Sequence, residues 1–239
     1  MATSIAALLS RLGRWQRPLL GALLLLLLLP LLWLSATRAL AAGAHYFLER
    51  QLQAWSLPAA PPSMEEWRYS EQLLHFAEDF IPKNPRLMAH AAQLYDWRAW
   101  LEQEERAVRT HYLELSLEYH RRGLRSRPAW PYSWADFAAA KARRGLLDEE
   151  FQAAYATAAR LGPWEVGVQS RLIEIGLPNW RQLNRESRDT LVATLQRALA
   201  VQERTLFSSV ERIDELPRLC FLLQQDARVH AYCESKHIY

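Results

Sequence analysis

The most ordered hydrophobic pattern in the chain lies near its start. Seven consecutive leucines, Leu23–Leu29, sit inside a run from Pro18 to Thr37 that carries no charge. About 20 apolar residues at 1.5 Å per residue cross a hydrocarbon layer of roughly 30 Å. The run therefore predicts a transmembrane helix over 18–37, in which Pro30 is tolerated and Trp15 and Trp33 stand near the two interfaces. Beyond it the pattern changes. Residues 51–62, QLQAWSLPAAPP, predict an extended linker because Pro58, Pro61 and Pro62 oppose helix continuation. From residue 63 apolar residues recur at helical spacing, and no convincing run alternates as a strand would.

Local signals divide this second part into helices. Ser63 and Glu66 form a capping-box pattern ahead of Trp67, Leu73, Leu74, Ala77 and Phe80, which share broadly one face. Asn84-Pro85 opens a second helix, and a third ends near Gly123. Ser133 is the predicted N-cap of a helix starting at Trp134 and stopping at Gly145. Asp148 caps the next, which stops at Gly162, and Pro163 opens another that stops at Gly176. A short helix follows near Pro178, then a long pattern from Glu186 to Phe207, and last helices flanking Pro217.

One spacing suggests more than a bundle. Trp130 and Trp164 are 34 residues apart, and Pro128 and Pro163 are 35 apart, close to the 34-residue period of tetratricopeptide repeats. The match is degenerate. Pro85 to Pro128 spans 43 residues, and Lys141 stands where such repeats usually carry an aromatic. The expected fold class is all-α: an N-terminal transmembrane helix followed by a degenerate tetratricopeptide-like helical-repeat domain, with an irregular helix bundle as the alternative. The expected boundaries are 1–17 cytoplasmic N-terminus, 18–37 transmembrane helix, 38–62 juxtamembrane segment and linker, and 63–239 periplasmic helical-repeat domain.

Charge refines the topology. All 26 acidic residues and 25 of the 29 basic ones lie from residue 44 onward, so the body is near neutral and the formal +3 gives no support for nucleic-acid binding. Arg11, Arg14 and Arg17 precede the span, and only Arg38 and Arg50 closely follow it. This bias predicts the N-terminus inside and the body outside, which in a bacterium means inner membrane and periplasm. A cleavable signal peptide competes, because ALAAGA at 39–44 offers small residues for cleavage. The long apolar run and the extended segment before it favour an uncleaved anchor. Cys220 and Cys233 are the two cysteines, and an exported location favours a disulfide over two buried thiols. Unstrained, a loop this short would add about 3 kcal/mol by chain entropy.

Sequence motifs for chemistry are lacking. The seven histidines are dispersed, and HExxH, CxxC, P-loop, GxSxG and Gly-rich dinucleotide patterns are absent. No metal, cofactor or catalytic residue is assigned. Adjacent pairs such as Glu65/Glu66 and Glu149/Glu150 point in different directions on a helix and fit a helix N-terminus. The aromatic stretch RPAWPYSW at 127–134 is the remaining candidate. Trp134 and Trp164 are expected to pack between helices, whereas Trp130 and Tyr132 precede the expected cap and are free to bind a partner or stack on a glycan. Glu165 is included with them as a neighbour that favours a helix start.

The stretch from Arg127 to Leu183, with WPYSWA, Lys141, Gly145, Phe151, LGPWE and Trp180 followed by RQL, resembles VpsP-like exopolysaccharide biosynthesis proteins of proteobacteria. The resemblance covers about residues 127–185 and supplies no catalytic motif. It implies a membrane-anchored accessory or scaffold in exopolysaccharide biosynthesis, with a polysaccharide polymerase or export component as partner. A carbohydrate-binding module and an unrecognised polysaccharide-modifying enzyme are the alternatives.

Overall fold

The computed structural model describes residues 16–56, 61–102 and 104–238. Among them every regular element is helical. The first, α1 (Gln16–Trp55), is one continuous 40-residue helix made of two unlike halves. Its leucine-rich half is exposed all round from Ala22 to Ala36. It is long and apolar enough to cross a membrane. The second half is amphipathic. Thr37, Ala41, Ala44, His45, Leu48, Leu52 and Trp55 are buried, a stripe at three- and four-residue spacing that faces the rest of the protein.

That stripe overturns the expected linker over 51–55. Leu52 and Trp55 extend the helical face that begins at Thr37, and their burial outweighs the prolines, which act only beyond the helix end. Ser56 closes the helix, its hydroxyl donating to the Leu52 carbonyl at 2.9 Å.

Ten helices follow. In α2 (Met64–Phe80) the capping box is complete: Ser63 N–H donates to Glu66 at 2.7 Å and Glu66 N–H donates to Ser63 Oγ at 3.2 Å. In α3 (Pro85–Leu101) Asn84 accepts from the amides of Arg86 and Leu87. The next helix, α4 (Arg106–Ser126), does not end at Gly123. Gly123 is buried within the helix and faces Met88, where a Cβ would make an ordinary 3.7 Å contact, and the helix runs on for three more residues.

In α5 (Pro131–Arg144) the N-cap is Trp130, not Ser133. Pro131 has its φ preset for a first helical residue, so it starts the helix three positions early. Gly145 adopts φ 79°, and its amide and that of Leu146 return to the Ala142 and Lys141 carbonyls, a left-handed stop suited to glycine. Asp148 caps α6 (Glu149–Leu161) through the Phe151 amide at 3.0 Å. The next helix, α7 (Val166–Gly176), starts later than Pro163 predicts, because residues 162–165 form a tight turn closed by Glu165 N–H to the Gly162 carbonyl. A 3-10 turn at Trp180–Gln182 leads to α8 (Arg185–Val201). The long pattern predicted from Glu186 to Phe207 breaks at Gln202, where α9 (Glu203–Arg212) begins. Two short helices, α10 (Leu216–Leu222) and α11 (Ala227–Ser235), carry Cys220 and Cys233, which are joined as a disulfide with Cα atoms 6.1 Å apart.

The buried residues form two clusters. One joins the second half of α1 to α2, α3 and Tyr119 of α4. The other runs from Leu117 and Leu124 of α4 to Cys233. Helix α4 thus contributes to both cores. In the second cluster helices pack on their neighbours and on the next helix but one: α5 on α6 and α7, α6 on α7 and α8, and α7 on α8 and α9.

In the first cluster His45 and His90 meet with Nε2 and Nδ1 2.9 Å apart. Burial pushes His90 down to about 4, and the neighbouring His45 adds to the effect. Because the folded state holds this proton less tightly than the unfolded chain, stability is fully present above about pH 6.5 and falls as the pH drops toward 4. The expected loss is of order 2 kcal/mol after allowance for partial exposure. A His90→Gln variant should show a flatter stability profile over that window in denaturant titrations.

Candidate aromatic surface

The residues singled out by sequence converge where α5 begins and α6 turns into α7. The convergence is built by small residues. A Cβ on Gly162 would lie 2.8 Å from Pro131 Cβ, so only glycine lets the α6–α7 turn close onto the start of α5. Tyr132 then reaches across the turn. Its hydroxyl donates to Glu165 Oε2 at 3.0 Å, and this bond raises the phenol above its usual range. Gly167 leaves room for the tyrosine ring, since a Cβ there would be 2.8 Å from Tyr132 Cε1. Gly162→Ala should cost about 1–3 kcal/mol by overpacking and part Tyr132 from Glu165. Thermal melts and the phenol titration would report the two effects.

Exposure separates the candidate rings. Trp130 is 48% exposed and Trp164 63% exposed. Tyr132 is partly buried and lies 5.6 Å from Trp130, centroid to centroid. Trp134 packs against the main core, and its indole N–H donates to the Pro128 carbonyl at 2.7 Å. The expectation of inter-helix packing therefore fails for Trp164. Because the helix starts at Val166, Trp164 sits in the preceding turn, where no neighbouring helix covers it. Val166, unremarked in the sequence, adds to the exposed apolar surface at 49%. Arg127 lies 6.0 Å from the Trp130 ring centroid, within the range of a weak cation–π contact.

An open groove lies between α6 and α8. Its volume is about 1090 Å³. Small side chains, Ala153, Ala156 and Ala193, line it together with charged ones, including Arg160, Asp189 and Arg197. Sequence reasoning offered no route to this groove, which depends on how far α6 and α8 stand apart.

The buried titratable groups belong to packing. His120 is buried beside Phe137, and burial lowers its pKa. Tyr119 donates to Glu78 at 2.9 Å and is pushed up to about 12 by burial. Among the described residues no group of three or more His, Cys, Asp or Glu side chains is placed to hold a metal ion. The geometry places the exposed rings of Trp130 and Trp164 on either side of the Tyr132–Glu165 hydrogen bond. Compared with known proteins, the chain matches no family model, and no curated protein matches it significantly.

Proposed function

We propose that this protein is a single-pass membrane protein whose helical, repeat-like body acts as an accessory or scaffold in bacterial exopolysaccharide biosynthesis. The observation that carries the reading is the unbroken α1, in which an exposed apolar half long enough to span a bilayer continues into a half buried in the body. Such a helix holds a body at a fixed height over a membrane, which suits an assembly factor better than a freely diffusing binder. The polysaccharide pathway rests on the resemblance over residues 127–185. The inner-membrane location and the periplasmic side rest on the arginine bias before the span. On this reading the partner is a polymerase or export component, and the groove between α6 and α8 provides a face for one of its segments.

Co-purification from native membranes tests the proposal. Recovery with a polysaccharide polymerase or exporter is expected, and recovery without any polysaccharide component would contradict it. A reporter fused after Ser63 should be active outside the cytoplasm; activity inside would reverse the orientation.

A further inference from the structure

The aromatic surface lies at the end of the body from which the apolar half of α1 emerges. Helices α1 and α3 run parallel, because His45 meets His90 and Trp55 meets Trp97. At 1.5 Å per residue the same offset places the turn at 81–84 level with Thr37. Helix α4 runs back to that end, since Tyr95 stacks on Tyr119 and Met88 approaches Gly123. The ion pairs Arg143–Asp96 and Arg144–Glu114 put the last turn of α5 at the opposite end. Its first turn, with Trp130, is therefore at the same end of the body as Thr37, across α3 and α4 from it. The contacts of Pro131 with Gly162 and of Tyr132 with Glu165 bring the α6–α7 turn to the same end.

What this end exposes is selective. Phe76, Trp130, Trp164 and Val166 are exposed there, and so are Arg38, Lys83, Arg125 and Arg127. Acidic groups are interspersed, among them Asp79 and Glu165. Exposed tryptophans with arginines and lysines are the composition of a membrane–water interface, where the indole sits at headgroup level and the cation meets phosphate. Height agrees with composition. Thr37 closes the charge-free run and is already buried against the body, and Ala41 one turn later is fully buried. No stretch of free helix lifts the body away from the span.

Resting on the anchor reading above, we infer that this end of the body lies against the lipid headgroups of the bilayer that α1 crosses, with Trp130 and Trp164 as interfacial anchors. The firm hold on Tyr132 then fixes the tilt of the body, because the α5 start and the α6–α7 turn meet the surface as one unit. Trp100 provides an internal control: it is 47% exposed but lies at the end of α3, away from the span.

The test uses the full chain in vesicles of phosphatidylethanolamine and phosphatidylglycerol. The native cysteines are paired, so one added cysteine at position 26, 100, 130 or 164 takes a nitroxide label. Collision with oxygen relative to a water-soluble nickel chelate reports lipid against water. Labels in Trp130→Cys and Trp164→Cys should give ratios several-fold above that in Trp100→Cys and toward that in Leu26→Cys. Equal, water-like ratios at 100, 130 and 164 with a lipid-like ratio at 26 would overturn the inference, leave the anchor intact, and return the rings to a water-facing role such as glycan stacking. A water-like ratio at 26 would remove the anchor and the inference together.

Discussion

Replacing Lys141 by alanine should destabilise the body by about 3 kcal/mol, the range for breaking a buried ion pair and leaving a gap in a core. Lys141 is 1% exposed on the last turns of α5. Its Nζ donates to the Asp148 carboxylate at 2.9 Å and to Glu150 Oε2 at 2.5 Å. Glu150 also accepts from Arg121 of α4 at 3.0 Å, so one carboxylate at the start of α6 ties α4 and α5 to it. Burial opposes ionisation of Asp148, but the bonds from Lys141 and the Phe151 amide outweigh it and hold the pKa low. For Glu150 the bond from Arg121 is the main depressing cause. Depressed carboxylates contribute stability that is present above their unfolded pKa, near 4, and lost as the pH falls below it. Lys141→Met should recover most of the loss, because it refills the volume and leaves the half-exposed carboxylates to water. Its stability should also fall less steeply in acid. Chemical denaturation of the three proteins at neutral and acid pH would decide.

Leu48→Ala should cost about 3 kcal/mol, as expected for a fully buried leucine. Leu48 is at the centre of the α1 stripe, packed with α2 and α3 in the first core. Leu26→Ala, in the exposed apolar half, should leave the body's melting temperature unchanged. The contrast separates the two roles of one helix. Equal effects at 26 and 48 would mean that the second half of α1 is not part of the body.

The helix boundaries that sequence revealed best are those set by side chains within one turn. Ser63, Asn84 and Asp148 cap as their spacing requires, and Gly145 stops α5 in the left-handed conformation that favours glycine. The boundaries differ from the local signals where a stronger one competes. Pro58, Pro61 and Pro62 pointed to a linker, although Ala44, Leu48, Leu52 and Trp55 already carried a helical stripe. Ser133 is a sound N-cap by type, but Pro131 starts the helix first.

The candidate surface was legible only in part. Trp130, Tyr132, Trp164 and Glu165 stand out by type and period, and the structure brings Tyr132 and Glu165 into contact. That their turns share an end with the base of α1 depends on the direction of each intervening helix, which no local pattern encodes. Lys141 was visible as a misfit to the repeat pattern. Its role required knowing that the start of α6 folds back over the end of α5.

The central claim is that the span and the body are one helix without a hinge. Backbone hydrogen exchange over residues 38–55 of the full chain in nanodiscs tests it most directly. The account predicts slow exchange throughout, as protected as the core of α3. Rapid exchange across 45–55 beside a protected span would show a flexible tether and contradict it.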